Sequence, residues 1–313
     1  MIESSKAETD ALSAFLKLVD AEPVVSGGFT AGGAWALRFP KPEYLKFFAM
    51  VKGNCWLRVG EEVPVRVEEG DVLLLSAQTP FVLASEPGAA AVEARSLFAG
   101  KLNKIVALNA GNDCLQIGGH VQLDPTSGKL LCQALPPLIH IRATSRRATT
   151  LKWLLDQLVM ERAEECPGVG VVSVQLAQML FVQVLRAYLE TDEHSPIGWL
   201  RAASDTKLSP ALALMHGDPG RVWQLDELAR AAAMSRTGFA VRFKSAAGVS
   251  PVAYLTQWRM LLAQRALRTE GTPISVLTSR LGYGSESAFS HSFKRVTGLS
   301  PARYRDRSTA FLE

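Results

Sequence analysis

MSRTGFAVRFKSAAGVSPVAYL (Met234–Leu255) and YGSESAFSHSFKRVTGLSPARY (Tyr283–Tyr304) superimpose at an offset of 50 residues. Ser235 pairs with Ser285, Phe239 with Phe289, Phe243 with Phe293, Lys244 with Lys294, Gly248 with Gly298, Ser250 with Ser300, Pro251 with Pro301 and Tyr254 with Tyr304. Eight identities in register mark an internal repeat. Each copy has the same parts: a serine to cap a helix, two phenylalanines four apart, a glycine to end the helix, and Ser-Pro to cap and open the next.

A short apolar helix and a tight turn precede each copy, LDELARAAAM (Leu225–Met234) before the first and ISVLTSRLGYG (Ile274–Gly284) before the second. Helix, short turn, helix is the helix-turn-helix, whose second helix enters the major groove. Two copies give two reading heads, at about 216–250 and 270–307.

At about 100° per residue, Phe239 and Phe243 lie about 40° apart and define the buried stripe of the first recognition helix. Thr237, Ala240, Val241 and Lys244 fall on the opposite side, with Arg236 at the helix start. The equivalent outward set in the second helix is Ser287, Ser290, His291 and Lys294, with Glu286 at the N-terminal edge. Thr and Val suit thymine methyls, Ser and His suit base edges, and Glu accepts from cytosine N4. Arg242, Lys244, Lys294 and Arg295 read as phosphate anchors, which position without specifying. Between the heads, PVAYLTQWRMLLAQRALR (Pro251–Arg268) reads as one helix of about 27 Å. Successive major-groove faces are about 34 Å apart, so engaging both requires bent DNA or a tilted head.

The charge distribution agrees. Residues 205–313 carry 15 Lys and Arg against 8 Asp and Glu, or +7, whereas residues 1–204 carry 19 against 22, or −3. A basic module joined to an acidic one points to a polyanion-binding part and a part with another task.

In the first half, residues 24–122 show short β-branched and aromatic runs cut by Lys52-Gly53, Gly60-Glu61, Gly70-Asp71 and Gln78-Thr79-Pro80, the spacing of a barrel or sandwich. The period then becomes helical in Leu151–Glu165 and Val171–Glu190. The second of these is apolar nearly all round and needs a cover. TDEHSPIG (Thr191–Gly198) reads as a hinge. The fold expected is α+β in two domains, a β-barrel with following helices over 1–196 and an all-α module over 197–313.

The chain has 313 residues, 48% of them apolar and 20% charged, a composition that excludes intrinsic disorder. No run of about 18 apolar residues occurs, so a membrane span is not expected. MIESSKAETD lacks an apolar h-region, so a secretory signal is not expected either, and the cytoplasm is the expected location. Cys55, Cys114, Cys132 and Cys166 match neither a redox pair nor a zinc ladder, and read as reduced thiols.

Residues 205–307 closely resemble the DNA-binding domain of AraC/XylS-type transcription regulators, down to Trp258-Arg259 in the connecting helix and the closing GLSPARYR. EEGDVLLLSAQTPFVLA and ALPPLIHI (Ala134–Ile141) look like the cupin sensor domain that often precedes that module. The resemblance implies a sequence-specific regulator, not an enzyme, that binds double-stranded DNA as a homodimer under control of a small-molecule effector, with RNA polymerase as a further partner. Metal-binding cupins carry a histidine cluster, and none of the five histidines here (His120, His140, His194, His216, His291) lies between Val24 and Ala84. No metal or other cofactor is therefore expected, and His140 reads as a structural residue. Trp35, Arg38, Lys46, Phe48, Trp56 and Arg58 on the central strands are the candidate effector-binding residues, their cations suiting an anionic or hydroxylated ligand. Two alternatives stand beside this reading: control by oxidation of Cys55, Cys114 or Cys132, and a cupin enzyme with an appended nucleic-acid module.

Overall fold

The computed structural model describes residues 10–309 apart from Tyr44, 77–78, 101–103, 110, 125–126, 165 and 191–197. The hinge expected at Thr191–Gly198 falls, except for Gly198, outside the described residues. The chain forms two compact units, one of Ala21–Leu123 with Gly128–His194, the other of Met1–Asp20, Asp124–Ser127 and Ser195–Glu313.

Among the described residues the first unit has eleven strands: β1 (Glu22–Ala31), β2 (Ala36–Phe39), β3 (Leu45–Lys52), β4 (Asn54–Val59), β5 (Val65–Glu68), β6 (Val72–Leu75), β7 (Phe81–Ala84), β8 (Val92–Glu93), β9 (Ile105–Leu108), β10 (Cys114–Gln122) and β11 (Leu138–Ile141). They form a six-stranded sheet, β11-β6-β3-β10-β1-β9, and a five-stranded sheet, β5-β4-β7-β2-β8. The two sheets share one apolar core, including Phe29, Leu37, Phe48, Met50, Leu57, Leu73, Phe81 and Leu83. The region is therefore β-rich as expected, two sheets on one core, but its sheets do not close into a barrel. Closure needs an unbroken ladder, and among the described residues no ladder joins one sheet to the other.

Two long helices complete this unit, Ala148–Glu164 and Val169–Glu190. The second is long and apolar enough, by length and composition, to cross a bilayer, which the absence of a continuous apolar run did not lead us to expect. It carries Gln175, Gln178, Gln183 and Arg186, and packs a stripe including Ala177, Leu180, Val184 and Leu185 into the core against β1. That pattern is common to core helices of folded domains.

The second unit is helical. Its first head has Leu225–Ala231 and Arg236–Ala247, and its second Ile274–Arg280 and Glu286–Thr297. Each head has its own core, around Phe239 and Phe243 in one and Phe289 and Phe293 in the other, and all four rings are fully buried. The link keeps helical backbone past the expected end at Arg268 but changes form: α-helix runs over Pro251–Arg265, and Ala266–Glu270 is a π-turn ended by Gly271 in the left-handed region. Helices Trp199–Ser204, Ser209–Gly217 and Ala11–Leu18 pack with the first head, and Phe15 stacks on Trp199 with ring centroids 3.4 Å apart.

Candidate nucleic-acid interface and effector cavity

The sequence repeat is a structural repeat. Ser235 Oγ accepts from Gly238 N at 3.2 Å and Ser285 Oγ from Ala288 N at 3.1 Å, so each recognition helix begins on a serine cap. Each ends on a left-handed glycine, Gly248 at φ 76° and Gly298 at φ 79°, a conformation that costs glycine little. Tyr254 packs edge-on against Phe243 and Tyr304 edge-on against Phe293, in both cases with centroids 5.4 Å apart. The preceding helix of the first head starts on a capping box, in which Gln224 N donates to Glu227 Oε2 at 3.0 Å.

The two heads are also held to each other. Arg259, on the linking helix, donates from Nε to the Pro219 carbonyl at 2.5 Å and from Nη2 to the Arg221 carbonyl at 3.0 Å, and its guanidinium lies 5.7 Å from the Tyr283 ring. The turn of the second head runs through Gly282 at φ 73°, where a Cβ would lie 1.8 Å from the Gly220 carbonyl oxygen. Backbone meets backbone there, and only glycine fits.

With the phenylalanines inside, Arg236, Thr237, Val241, Arg242 and Lys244 are exposed on the first recognition helix, and Ala240 is partly covered. On the second, Glu286, Ser287, His291, Lys294 and Arg295 are exposed and Ser290 is partly covered. Lys244, Lys294 and Arg295 have no ion-pair partner among the described residues. Arg242 differs, because Asp205 holds it in a two-bonded pair. Arg236 lies 3.5 Å from Asp226.

The six candidate effector residues divide. Lys46 and Phe48 line a cavity of about 240 Å³ between the inner faces of the sheets, together with Phe29, Phe39, Phe81 and Phe98. Arg38, Trp56 and Arg58 line a separate pocket of about 580 Å³ on the five-stranded sheet, beside Glu61, Glu62 and Glu86. Trp35 is buried in the core, edge-on to Phe29.

Sequence reasoning missed Gln116. It is buried on β10 opposite Met50 of β3, it lines the same cavity, and among the described residues its Nε2 has no hydrogen-bond partner. The register of β10 against β3 pairs Gly118 with Phe48 and His120 with Lys46. A bulge in β1 between Val25 and Gly27 sets Ser26 Oγ 3.0 Å from His120 Nδ1. Burial lowers the pKa of Lys46, and burial followed by the Lys46 charge lowers that of His120.

Among the described residues, no group of three or more His, Cys, Asp or Glu side chains is placed to hold a metal ion. His140 Nε2 lies 2.7 Å from Asp71 Oδ2, and Ala143 N also donates to Asp71, at 2.8 Å, so this pair is internally satisfied. Burial raises the pKa of Cys55, of Cys114 to about 11, and of Cys132. Oxidation proceeds through the thiolate, so these thiols are not poised to be sensors.

A family profile described as Cupin matches residues 10–190, and one described as Helix-turn-helix domain matches residues 228–307. A putative AraC-like transcription regulator of Streptomyces lividans is 37% identical over 96% of this chain and 99% of its own. A protein of the same description from Streptomyces antibioticus is 37% identical over 95% of this chain and 98% of its own. The DNA-binding domain of AdpA, the global transcriptional factor, in a crystal structure with a target DNA, is 34% identical over 33% of this chain and 94% of its own, with a TM-score of 0.32.

Proposed function

This chain belongs to the AraC-type DNA-binding transcription regulators, with a cupin-like domain ahead of its helix-turn-helix module, and from that premise we propose that it is a cytoplasmic dimer whose operator binding is set by a small-molecule effector in the Lys46–Gln116 cavity. The observation that carries the DNA-binding residues is the repeated head: two capped helices, each burying its phenylalanine pair and turning its polar set outward. Thr237, Ala240 and Val241 offer methyl groups to thymine, and Glu286, Ser287, Ser290 and His291 offer hydrogen bonds to base edges. The two halves of the operator are therefore read by different chemistry. Arg236, Lys244, Lys294 and Arg295 supply the positive charge around them, while Arg242 is held by Asp205.

Effector control is supported by a cavity that is apolar around two inward polar side chains, the usual composition of a small-molecule site. Dimerisation is supported by the long helices, on which Trp153, Met160, Val171 and Met179 are exposed. Large exposed apolar surface of this kind marks partner sites. A bound effector shifts operator engagement only by its differential affinity for two arrangements of the dimer, and RNA polymerase is the further partner of an activating arrangement.

Mobility shift of the full-length protein on DNA upstream of its own gene, at about 50 and 200 mM salt, tests the reading. About six to eight phosphate contacts make affinity fall steeply between those concentrations. Sedimentation is expected to give a dimer that Trp153→Glu weakens. A protein that shifts no duplex at low salt, or a strict monomer with and without DNA, refutes the corresponding half of the proposal.

A further inference from the structure

On β3 Lys46, Phe48 and Met50 share the face turned to the core, and on the paired β10 Gln116 and Gly118 stand opposite them, with the exposed His120 at the end of that row. A polar side chain on a core-facing position is costly unless it is partnered or used. Phe48 and Met50 keep the apolar pattern, whereas Lys46 and Gln116 break it. Among the described residues neither is repaid: the Gln116 Nε2 has no hydrogen-bond partner and no carboxylate pairs with Lys46. The Lys46 ammonium instead lies 5.2 Å from the Phe39 ring centroid.

Both open groups are donors, so what completes them is an acceptor, and the Lys46 charge makes an anion the better one. The remaining wall is aromatic. Phe39 stacks on Phe81 at 4.7 Å and Phe48 on Phe81 at 5.9 Å, while Phe98 stands 6.4 Å from Phe29 and 6.3 Å from Phe39. Such rings receive a flat apolar body. An apolar cavity of about 150 Å³ holds a benzene-sized molecule of six heavy atoms, so the 240 Å³ here fits about ten.

We propose that the cavity takes a compact aromatic carboxylate of about ten non-hydrogen atoms, its ring among Phe29, Phe39, Phe81 and Phe98 and its carboxylate on Lys46 Nζ and Gln116 Nε2. The inference rests on reading this cavity as the effector site, and it adds the chemical class. Arg95 at the exposed mouth adds a second positive charge on the entry path.

Calorimetric titration of the full-length protein with benzoate and phenylacetate, and with benzyl alcohol as the neutral analogue, tests it. The expected result is saturable binding of at least one carboxylate at one per chain, with benzyl alcohol at least tenfold weaker. Lys46→Met is expected to lose about 10- to 100-fold for the carboxylate, the worth of one charge-assisted hydrogen bond, while keeping or gaining affinity for benzyl alcohol. That retained affinity shows that the variant is folded. Benzyl alcohol binding as well as the carboxylates, or carboxylate affinity unmoved by Lys46→Met, overturns the ligand class and leaves the cavity a ligand site. Failure of all three probes to bind overturns the class together with the reading of this cavity as the effector site.

Discussion

Asp205 holds Arg242 through two hydrogen bonds, Nε to Oδ2 at 2.7 Å and Nη2 to Oδ1 at 3.1 Å, and so ties the first recognition helix to the segment between helices Trp199–Ser204 and Ser209–Gly217. The aspartate is largely buried and the arginine is not. Seen in sequence, Arg242 is a phosphate anchor like Lys244; seen in the fold, its guanidinium is already engaged. Arg242→Ala is expected to destabilise the DNA-binding unit by about 1 kcal/mol, a charged bond discounted for its exposure. Lys244→Ala is expected to leave the melting temperature nearly unchanged and to reduce the slope of log affinity against log salt by about one contact. Thermal melts and salt titrations on the two variants separate the roles. The opposite assignment, a lost salt contact for Arg242→Ala at unchanged stability, would make Asp205 incidental.

Gly282 and Gly271 both adopt left-handed backbone, yet only Gly282 meets a neighbour. An alanine at Gly271 enters open space and costs about 1–2 kcal/mol for its backbone conformation. At Gly282 the same change adds a collision with the Gly220 carbonyl, so the heads have to move apart. Gly282→Ala is expected to weaken binding to a two-half operator more than tenfold, while Gly271→Ala leaves it within about threefold. Equal effects of the two changes would mean that the Gly220–Gly282 contact does not set head spacing.

His216 stacks on Trp258 at 3.9 Å and hydrogen-bonds Tyr254 Oη at 2.9 Å. Burial pushes its pKa down to about 4 from an ordinary 6.5, so the fold holds it neutral. The unfolded chain takes up a proton between those values and the folded chain does not. Stability is therefore fully present above pH 6.5 and is lost as pH falls toward 4, by about 3 kcal/mol in all. Melting of the DNA-binding unit is expected to drop between pH 7 and 5, and His216→Phe, which keeps the stack, to flatten that drop. An unchanged pH slope in the variant would assign the loss to other groups.

The two phenylalanine pairs are expected to be cores of equal weight. Phe239→Ala and Phe289→Ala should each cost about 3–5 kcal/mol, read as an early melting step in full-length protein. A cost below about 1 kcal/mol at either site would place that ring at the surface.

The helical half was legible because its signals are local. A serine cap, Phe at i and i+4, and a terminal glycine act within one or two turns, so Ser235, Phe239 and Gly248 announce their roles in order. The link reads as one α-helix because the π-turn at Ala266–Glu270 has no side-chain signature distinct from the helix before it. The β half was legible as strands but not as sites, since cavity walls come from distant segments. Lys46 and Phe48 share a strand face and were found together. Arg38 and Arg58 lie on the other sheet, where they flank Val82 on β7, and nothing in their own strands says which sheet they join. Gln116 becomes visible only through the register that brings β10 beside β3. Helix Ala11–Leu18 packs with the first reading head far along the chain, a placement no local pattern encodes.

On the proposed reading, two recognition helices meet the two halves of one operator with different side chains. Selection of a random duplex library by the full-length protein, compared with Thr237→Ala/Val241→Ala and with Ser290→Ala/His291→Ala, tests it most directly. A bipartite enriched site is expected, with the first pair of changes altering base preference in one half and the second pair altering it in the other, at nearly unchanged melting temperature. No enriched sequence, or equal losses over every sequence from both double variants, would contradict it.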